Sequence, residues 1–245
     1  MTIEAFDDSP EPMKSAKRAY QASLKLGITK GTERSLAILA MAQSLERSFD
    51  DILEANTLDL EASREMAVPE LILDWLKLTP SRLENTVKVL LKLWEVPDPL
   101  REIRSVSYQQ EDTQSYAQLM PLGVIGFIYE AFPDIGAIAA GFCIKTGNSI
   151  ILKGSTEASN SNKAIISVLQ TAVTEVGLPK NCIELITAEH GTSIRDLITQ
   201  DQYVNLVIPY GRSSLVQQVV RQGTCPVLKS TMGNCYLYWS LNSSL

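Results

Sequence analysis

Two short turns of this sequence carry the residue types that could bind a nucleotide. The first, Lys153-Gly154-Ser155-Thr156-Glu157, follows an apolar stretch at 149–153. The Lys153 ammonium could meet ribose hydroxyls or a phosphate, Gly154 would let a ligand approach the backbone, and Glu157 could accept hydrogen bonds from a ribose. A charge-assisted hydrogen bond of this kind contributes about 1.5–3 kcal/mol. The alternative is structural: a solvated lysine at a strand end, and a glutamate favoured at a helix start by the macrodipole.

The second turn, 209–214, follows another apolar stretch and opens a helix. Its backbone amides, with Ser213 and Ser214, could bind an anion, although ordinary helix capping explains these residues equally well. The dinucleotide fingerprint G-x-G-x-x-G is absent, and Gly123-Val124-Ile125-Gly126 fits a closely packed strand better. His190 is the only histidine and is predicted to be a surface residue.

Alternating strands and helices must position these turns. Apolar strands are predicted at 123–129, 149–153, 183–186, 204–208 and 226–228, with helices at 134–146, 157–176, 192–200 and 213–221. Short crossover helices between apolar strands demand a parallel sheet that is covered on both faces. Ligands of such sheets bind at the carboxyl ends of the strands, which here are the turns 130–134, 153–157, 187–191 and 209–212.

The first half of the chain has a helical pattern. Helices are predicted at 11–26, 32–49, 50–66 and 80–94, with Leu36 on the buried face of the second and Thr79-Pro80 as a start signal. Alternating segments at 103–108 and 115–120 predict a hairpin. We therefore expect an α/β fold with a mobile tail (1–11), N-terminal helices plus a β-hairpin (12–120), and a Rossmann-like parallel βα sheet that binds a cofactor (121–245).

Composition excludes several classes of function. The chain has 245 residues, 45% of them hydrophobic, and a net charge of -6, which argues against binding nucleic acid or an anionic membrane. Charged residues interrupt every apolar run before it reaches the length of a membrane span, so we expect a soluble, cytoplasmic protein. The four cysteines (Cys143, Cys182, Cys225 and Cys235) form no C-x-x-C pair. They are predicted to be reduced and mostly buried, and with a single histidine no metal site is expected.

In the second half of the chain, four runs of residues stand out: PLGVIGFIYEAFPD, CIKTGNSIILKGSTEASNSNKAI, VIPYG and CPVLKSTMGNCYLY. The helical half adds ILEANTLDLEASRE and LTPSRLENTVKVL. Taken together, these runs resemble the γ-glutamyl phosphate reductase family of the aldehyde dehydrogenase superfamily. The resemblance implies that NADPH reduces L-glutamyl 5-phosphate to L-glutamate 5-semialdehyde, a step of proline biosynthesis. It also implies that Lys153 lies beside the adenosine ribose with Gly154, Ser155 and Glu157 in the same turn, and that Gly211 passes near the cofactor.

The sequence also departs from that family. The family's nucleophilic cysteine belongs to a following catalytic domain, which we expect to be absent, and Cys235 matches a different cysteine. Typical members read YESRPN where this chain has Phe132 in place of the arginine, and IPRGG where it reads Ile208-Pro209-Tyr210-Gly211-Arg212. Loss of cationic donors should weaken binding of an acyl phosphate.

Three interpretations follow. The chain is an enzyme whose missing part is supplied elsewhere, a catalytically silent NADP(H)-binding or protein-interaction module, or a decayed gene product. We also expect a homo-oligomer, because a parallel sheet without its neighbouring domain exposes apolar area.

Overall fold

The computed structural model describes residues 10–105, 115–187, 193–229 and 236–240. Its helices are α1 (Glu11–Gly27), α2 (Gly31–Arg47), α3 (Phe49–Glu65), α4 (Glu70–Leu76), α5 (Pro80–Glu95), α6 (Ile135–Lys145), α7 (Ser159–Glu175), α8 (Ile194–Ile198) and α9 (Ser213–Gln222). Its strands are β1 (Ile103–Ser105), β2 (Tyr116–Gln118), β3 (Val124–Tyr129), β4 (Ser149–Lys153), β5 (Ile183–Leu185) and β6 (Leu206–Tyr210). The predicted α/β fold, with a helical N-terminal portion, a hairpin and a parallel sheet, is confirmed.

Local chemistry explains where the N-terminal helices begin. The Thr79 hydroxyl accepts a hydrogen bond from the Arg82 amide, and Pro80 is the first residue of α5, as the sequence predicted. On α2 the predicted burial of Leu36 is wrong, because its side chain is 55% exposed. Helix α2 packs against α5, α6 and α7, and its small or unbranched side chains, such as Ala37 and Met41, fill that crowded interface. The short helix α4 has no counterpart in the sequence-based prediction.

The main sheet has four parallel strands in the order β5-β4-β3-β6. The chain builds β3, β4 and β5 in one direction and then returns to the other side of β3 for β6. A crevice at the carboxyl ends of β3 and β6 is therefore the topological switch point, where open parallel sheets bind their ligands.

Two strand predictions needed correction. Strand β6 begins at Leu206 because Asn205 is used to anchor it: the Asn205 side-chain oxygen accepts from the Val124 amide at 2.8 Å. The predicted strand at 226–228 forms only an isolated parallel bridge between Val227 and Val207.

Helices cover both faces of the sheet. One face packs its alternate residues, including Ile125, Phe127 and Leu152, against α2, α5, α6 and α7. The other face packs Val124, Ile128 and Ile151 against α1, α8 and α9. Strand β3 is buried along its whole length because it lies between two strands and two helical layers.

Strands β1 and β2 pair antiparallel with Ile103 opposite Gln118, which confirms the hairpin pairing. The segment that connects them lies outside the described residues, as do most of the predicted tail, His190 and Cys235. Within the described ranges, no helix is long and apolar enough to cross a bilayer, and no group of three or more His, Cys, Asp or Glu residues could hold a metal ion.

Candidate functional site

A cleft of ≈ 470 Å³ opens at the carboxyl ends of β3, β4 and β6. Its lining comes from the turns after these strands, from the starts of α8 and α9, and from α4. The lining residues are Ile72, Ile128, Tyr129, Glu130, Ala131, Lys153, Gly154, Ser155, Thr156, Glu157, Ser193, Ile194, Arg212 and Leu215. The structure thus brings Lys153, Gly154, Ser155 and Glu157 to one wall of one cleft, and Arg212 to another.

Lys153 is the last residue of β4 and is only 6% exposed. The alternative of a solvated strand end is therefore wrong, since both faces of the sheet are covered at this point. No carboxylate among the described residues lies within salt-bridge distance of its ammonium. Burial lowers the pKa of Lys153, and the charge of Asp196 opposes that shift only in part. Within the described part of the chain this partly desolvated cation has no ion-pair partner, and an anionic ligand in the cleft would supply one.

Gly154 leaves no room for a side chain on the inner side of the turn. An added Cβ would lie 2.9 Å from Asn162 Cγ and 3.2 Å from Tyr129 Cζ. These two neighbours are fixed, because the Tyr129 hydroxyl donates to Asn162 Oδ1 at 2.9 Å inside the core. The backbone of the turn therefore packs directly on a rigid pair, and glycine is the residue that fits.

Ser155 and Glu157 complete this turn. The Ser155 hydroxyl is buried and finds no hydrogen-bond partner among the described residues. Glu157 lies in a 3₁₀ turn, Thr156–Ala158, that precedes α7, so it does not belong to the first turn of that helix. Its carboxylate lines the cleft instead. The turn therefore combines an unsatisfied hydroxyl, a carboxylate and an ammonium, which suits a polyhydroxylated ligand.

The second turn is organised by an ion pair that the sequence interpretation did not find. Glu130, the residue after β3, accepts from the Arg212 amide at 2.8 Å and from its guanidinium at 3.1 Å through both carboxylate oxygens. Gly211 allows this approach, because a Cβ there would lie 2.7 Å from Glu130 Oε2. The β3–β6 register pairs Tyr129 with Tyr210, so the residues just beyond meet. The Glu130–Arg212 ion pair follows from the β3–β6 register, which the sequence alone does not reveal.

Phe132 lies in the turn after β3, at the position where typical members of the resembled family have an arginine. Its ring stacks on Trp75 with centroids 5.4 Å apart, and the Arg82 guanidinium lies 5.2 Å from the ring centroid. Arg82 also forms an ion pair with Asp134. Helix α5 therefore brings a cation back to this turn, but a carboxylate of the same turn neutralises it.

The three described cysteines are free and buried, as predicted. Burial raises the pKa of Cys143 and Cys182 to about 12 and that of Cys225 to about 11. None of the three lines the cleft. At neutral pH these thiols stay protonated, so none of them is suited to nucleophilic attack.

Comparison with known proteins agrees with this architecture. Residues 7–233 match the model of the aldehyde dehydrogenase family. The chain is 50% identical over 227 residues to "Gamma-glutamyl phosphate reductase 2" of Synechocystis, covering 93% of this chain and 54% of that protein. It is 42% identical to "Gamma-glutamyl phosphate reductase" of Gloeobacter violaceus, covering 94% and 55% respectively.

Among solved structures, γ-glutamyl phosphate reductase of Thermotoga maritima superposes with a TM-score of 0.87 at 33% identity, covering 92% of this chain and 55% of that one. The enzyme of the same name from Saccharomyces cerevisiae gives 0.83 at 27% identity, covering 91% and 57%. The chain spans about half the length of the curated relatives it matches. Because the family match extends over most of the chain, and the parallel sheet and its cleft agree with it, this chain belongs to the aldehyde dehydrogenase family.

Proposed function

We propose that the cleft binds NADPH and that the chain is the cofactor-binding portion of a γ-glutamyl phosphate reductase. The single observation that carries this proposal is the buried Lys153 side chain at the carboxyl end of β4, whose ammonium has no ion-pair partner among the described residues. Next to it lies the Ser155 hydroxyl, which has no hydrogen-bond partner there either. Buried polar groups without partners are costly, and a bound ligand that supplies those partners offsets the cost.

The cleft residues suit the parts of a dinucleotide. The Lys153 ammonium would donate to ribose hydroxyls or to a phosphate, and the Glu157 carboxylate would accept from the same ribose. The backbone of Gly154, which lines the cleft, would be within reach of the ligand, and the Ser155 hydroxyl would gain the partner it lacks. Gly211 would keep the second turn free of a side chain. When bound, NADPH supplies a hydride for reduction of a carbonyl group.

The substrate and setting of the reaction are proposed from the names of the relatives. L-Glutamyl 5-phosphate would be reduced to L-glutamate 5-semialdehyde in proline biosynthesis, in the cytoplasm. Such an acyl transfer uses a cysteine thiolate. Since the described cysteines are buried with raised pKa values, the thiolate would come from outside the described residues.

The same cysteine chemistry favours a second candidate, a catalytically silent NADP(H)-binding or protein-interaction module. One experiment separates the two. NADPH is titrated against the full chain by tryptophan fluorescence, and phosphate-dependent reduction of NADP⁺ is then measured with glutamate 5-semialdehyde. Saturable binding with turnover supports the reductase, whereas saturable binding without turnover supports the silent NADP(H)-binding module. Absence of NADPH binding would contradict both of these functions.

We also propose a homo-oligomer. Tyr236, Leu237 and Tyr238 are 88–90% exposed, and large exposed apolar side chains in a row favour association. Light scattering at high protein concentration tests this, and a single monomeric species would contradict it.

A further inference from the structure

The pair formed by Glu130 and Arg212 spans the crevice between the ends of β3 and β6. The three hydrogen bonds that Arg212 donates to Glu130 measure 2.8, 3.1 and 3.1 Å, and both residues line the cleft. The Arg212 guanidinium is thus held at the mouth of the same cleft whose other wall carries Lys153. The fold therefore places two cations around the switch point: Arg212, which is paired with Glu130, and Lys153, which has no ion-pair partner in the part of the chain that the structure describes.

The charged residues that line the cleft balance one another. Lys153 and Arg212 are cationic, and Glu130 and Glu157 are anionic. Among the described residues the Glu130 carboxylate accepts hydrogen bonds from Arg212 alone. While this carboxylate is in place, it occupies donors of Arg212 and repels any incoming anion. Displacing it would turn the mouth of the cleft into a cationic site.

Moving the Glu130 carboxylate away from Arg212 costs little free energy. The Arg212 side chain is 59% exposed and that of Glu130 is 20% exposed, and an ion pair with a mostly exposed member stabilises a fold by only a small amount because water screens it. The planar fork of a guanidinium fits a phosphate in the same bidentate manner as a carboxylate. A phosphate can therefore take the place of the Glu130 carboxylate on the Arg212 guanidinium, and can also accept from the Arg212 amide that Glu130 releases.

We propose that Arg212 binds the diphosphate of a dinucleotide and that Glu130 is an internal carboxylate that competes with this ligand for Arg212. The proposal rests on the proposed function, because it assigns the phosphate-binding residue of the same cleft. Glu130 therefore weakens binding of phosphate-bearing ligands selectively. The affinity for adenosine, which carries no phosphate, should not depend on either residue.

Equilibrium titration of the full chain tests the proposal with NADPH, inorganic pyrophosphate and adenosine as probes. Arg212→Gln is expected to weaken binding of NADPH and pyrophosphate by about tenfold or more, the size of a lost charge-assisted hydrogen bond. Glu130→Gln is expected to strengthen binding of both by about two- to fivefold, the size of a lost exposed ion pair. In the double variant the gain from Glu130→Gln should disappear. Arg221→Gln, at the far end of α9 and exposed, is the matched control.

Four outcomes decide the proposal. Unchanged binding of NADPH and pyrophosphate in Arg212→Gln would overturn it while leaving the proposed cofactor intact. Weaker binding in Glu130→Gln would also overturn it, since Glu130 would then position Arg212. If the unmodified chain binds pyrophosphate through Arg212 but does not bind NADPH, the phosphate site stands and the proposed cofactor fails. Should Arg212→Gln not fold, Arg212→Lys keeps the charge without the fork, and native-like pyrophosphate affinity in that variant would contradict bidentate binding.

Discussion

Replacing Lys153 with methionine should change stability and ligand binding in opposite directions. Methionine keeps the unbranched apolar stem that β4 buries and removes the ammonium, which is unpaired among the described residues. Burial disfavours the charged form of Lys153, so removing the ammonium should raise the free energy of unfolding at pH 7, by at most the about 1–3 kcal/mol that a fully buried unsatisfied donor costs. Loss of a charge-assisted hydrogen bond of about 1.5–3 kcal/mol should weaken NADPH binding at least tenfold.

The stability difference between the unmodified chain and Lys153→Met should depend on pH. Burial lowers the pKa of Lys153 below its ordinary value of 10.5. The charged form therefore destabilises the fold fully at pH values below the folded-state pKa, and the penalty disappears as the pH rises towards 10.5. The stability advantage of Lys153→Met should be present at neutral pH and vanish near pH 10.5. The NADPH affinity of the unmodified chain should fall as Lys153 deprotonates, whereas that of the variant should show no such step.

Urea unfolding at pH 7 and at a series of alkaline pH values measures the first effect, and fluorescence of the three tryptophans measures the second. Trp75, which stacks on Phe132 beside the cleft, is the expected reporter. At 100 times its Kd, NADPH should stabilise the unmodified chain by about 2.7 kcal/mol, and the variant by less. Lys92→Met, at an exposed position on α5, is the matched control. A variant that is less stable at neutral pH, or that binds NADPH normally, would refute the reasoning.

Three further predictions concern the same cleft and its surroundings. Gly154→Ala should lower stability by about 1–3 kcal/mol in urea unfolding, because the new Cβ overpacks against Asn162. Gly211→Ala should displace both the Glu130 carboxylate and the buried Leu215 side chain, with a loss of about 1–3 kcal/mol of stability and a measurable change in NADPH affinity by fluorescence titration. In a Cys235→Ala background, a thiol reagent at pH 8 should label none of the remaining cysteines in the native chain and all of them in urea, because burial raises their pKa values to about 11–12.

Each of these predictions has an outcome that contradicts it. For Gly154→Ala the control is Gly27→Ala, where a Cβ would meet only Pro121 Cγ at 3.9 Å, and equal effects of the two changes would argue against a steric cause. For Gly211→Ala, unchanged stability and unchanged NADPH affinity would mean that the added Cβ is accommodated without moving Glu130 or Leu215. Rapid labelling of native thiols would show that a cysteine reaches solvent, and would restore it as a candidate nucleophile.

Much of the scaffold was determined by local sequence patterns. Continuous apolar runs predicted the strands around 124–129 and 149–153, because strands of a parallel sheet are buried on both faces. Thr79-Pro80 predicted the start of α5, since capping is a local interaction between residues three apart. The resemblance to γ-glutamyl phosphate reductases likewise came from runs of residues, and comparison with known proteins supports it.

Other features depended on long-range packing. The buried face of α2 was mispredicted at Leu36, because three neighbouring helices decide which of its sides is covered. The start of β6 was mispredicted because the Asn205 side chain bonds to a residue on another strand. Neither interaction leaves a periodic signal in the sequence.

For the candidate site, the sequence by itself determined which residue types stand in the turns after β4 and β6: the ammonium of Lys153, the carboxylate of Glu157, and the glycines at 154 and 211. Only the tertiary structure decided that the Lys153 side chain is buried, with no ion-pair partner in the described ranges, and that Glu130 forms an ion pair with Arg212. The physical reason is that burial and ion pairing depend on strand order and register. The β5-β4-β3-β6 order joins segments more than 80 residues apart, and no local pattern encodes which segments will be neighbours.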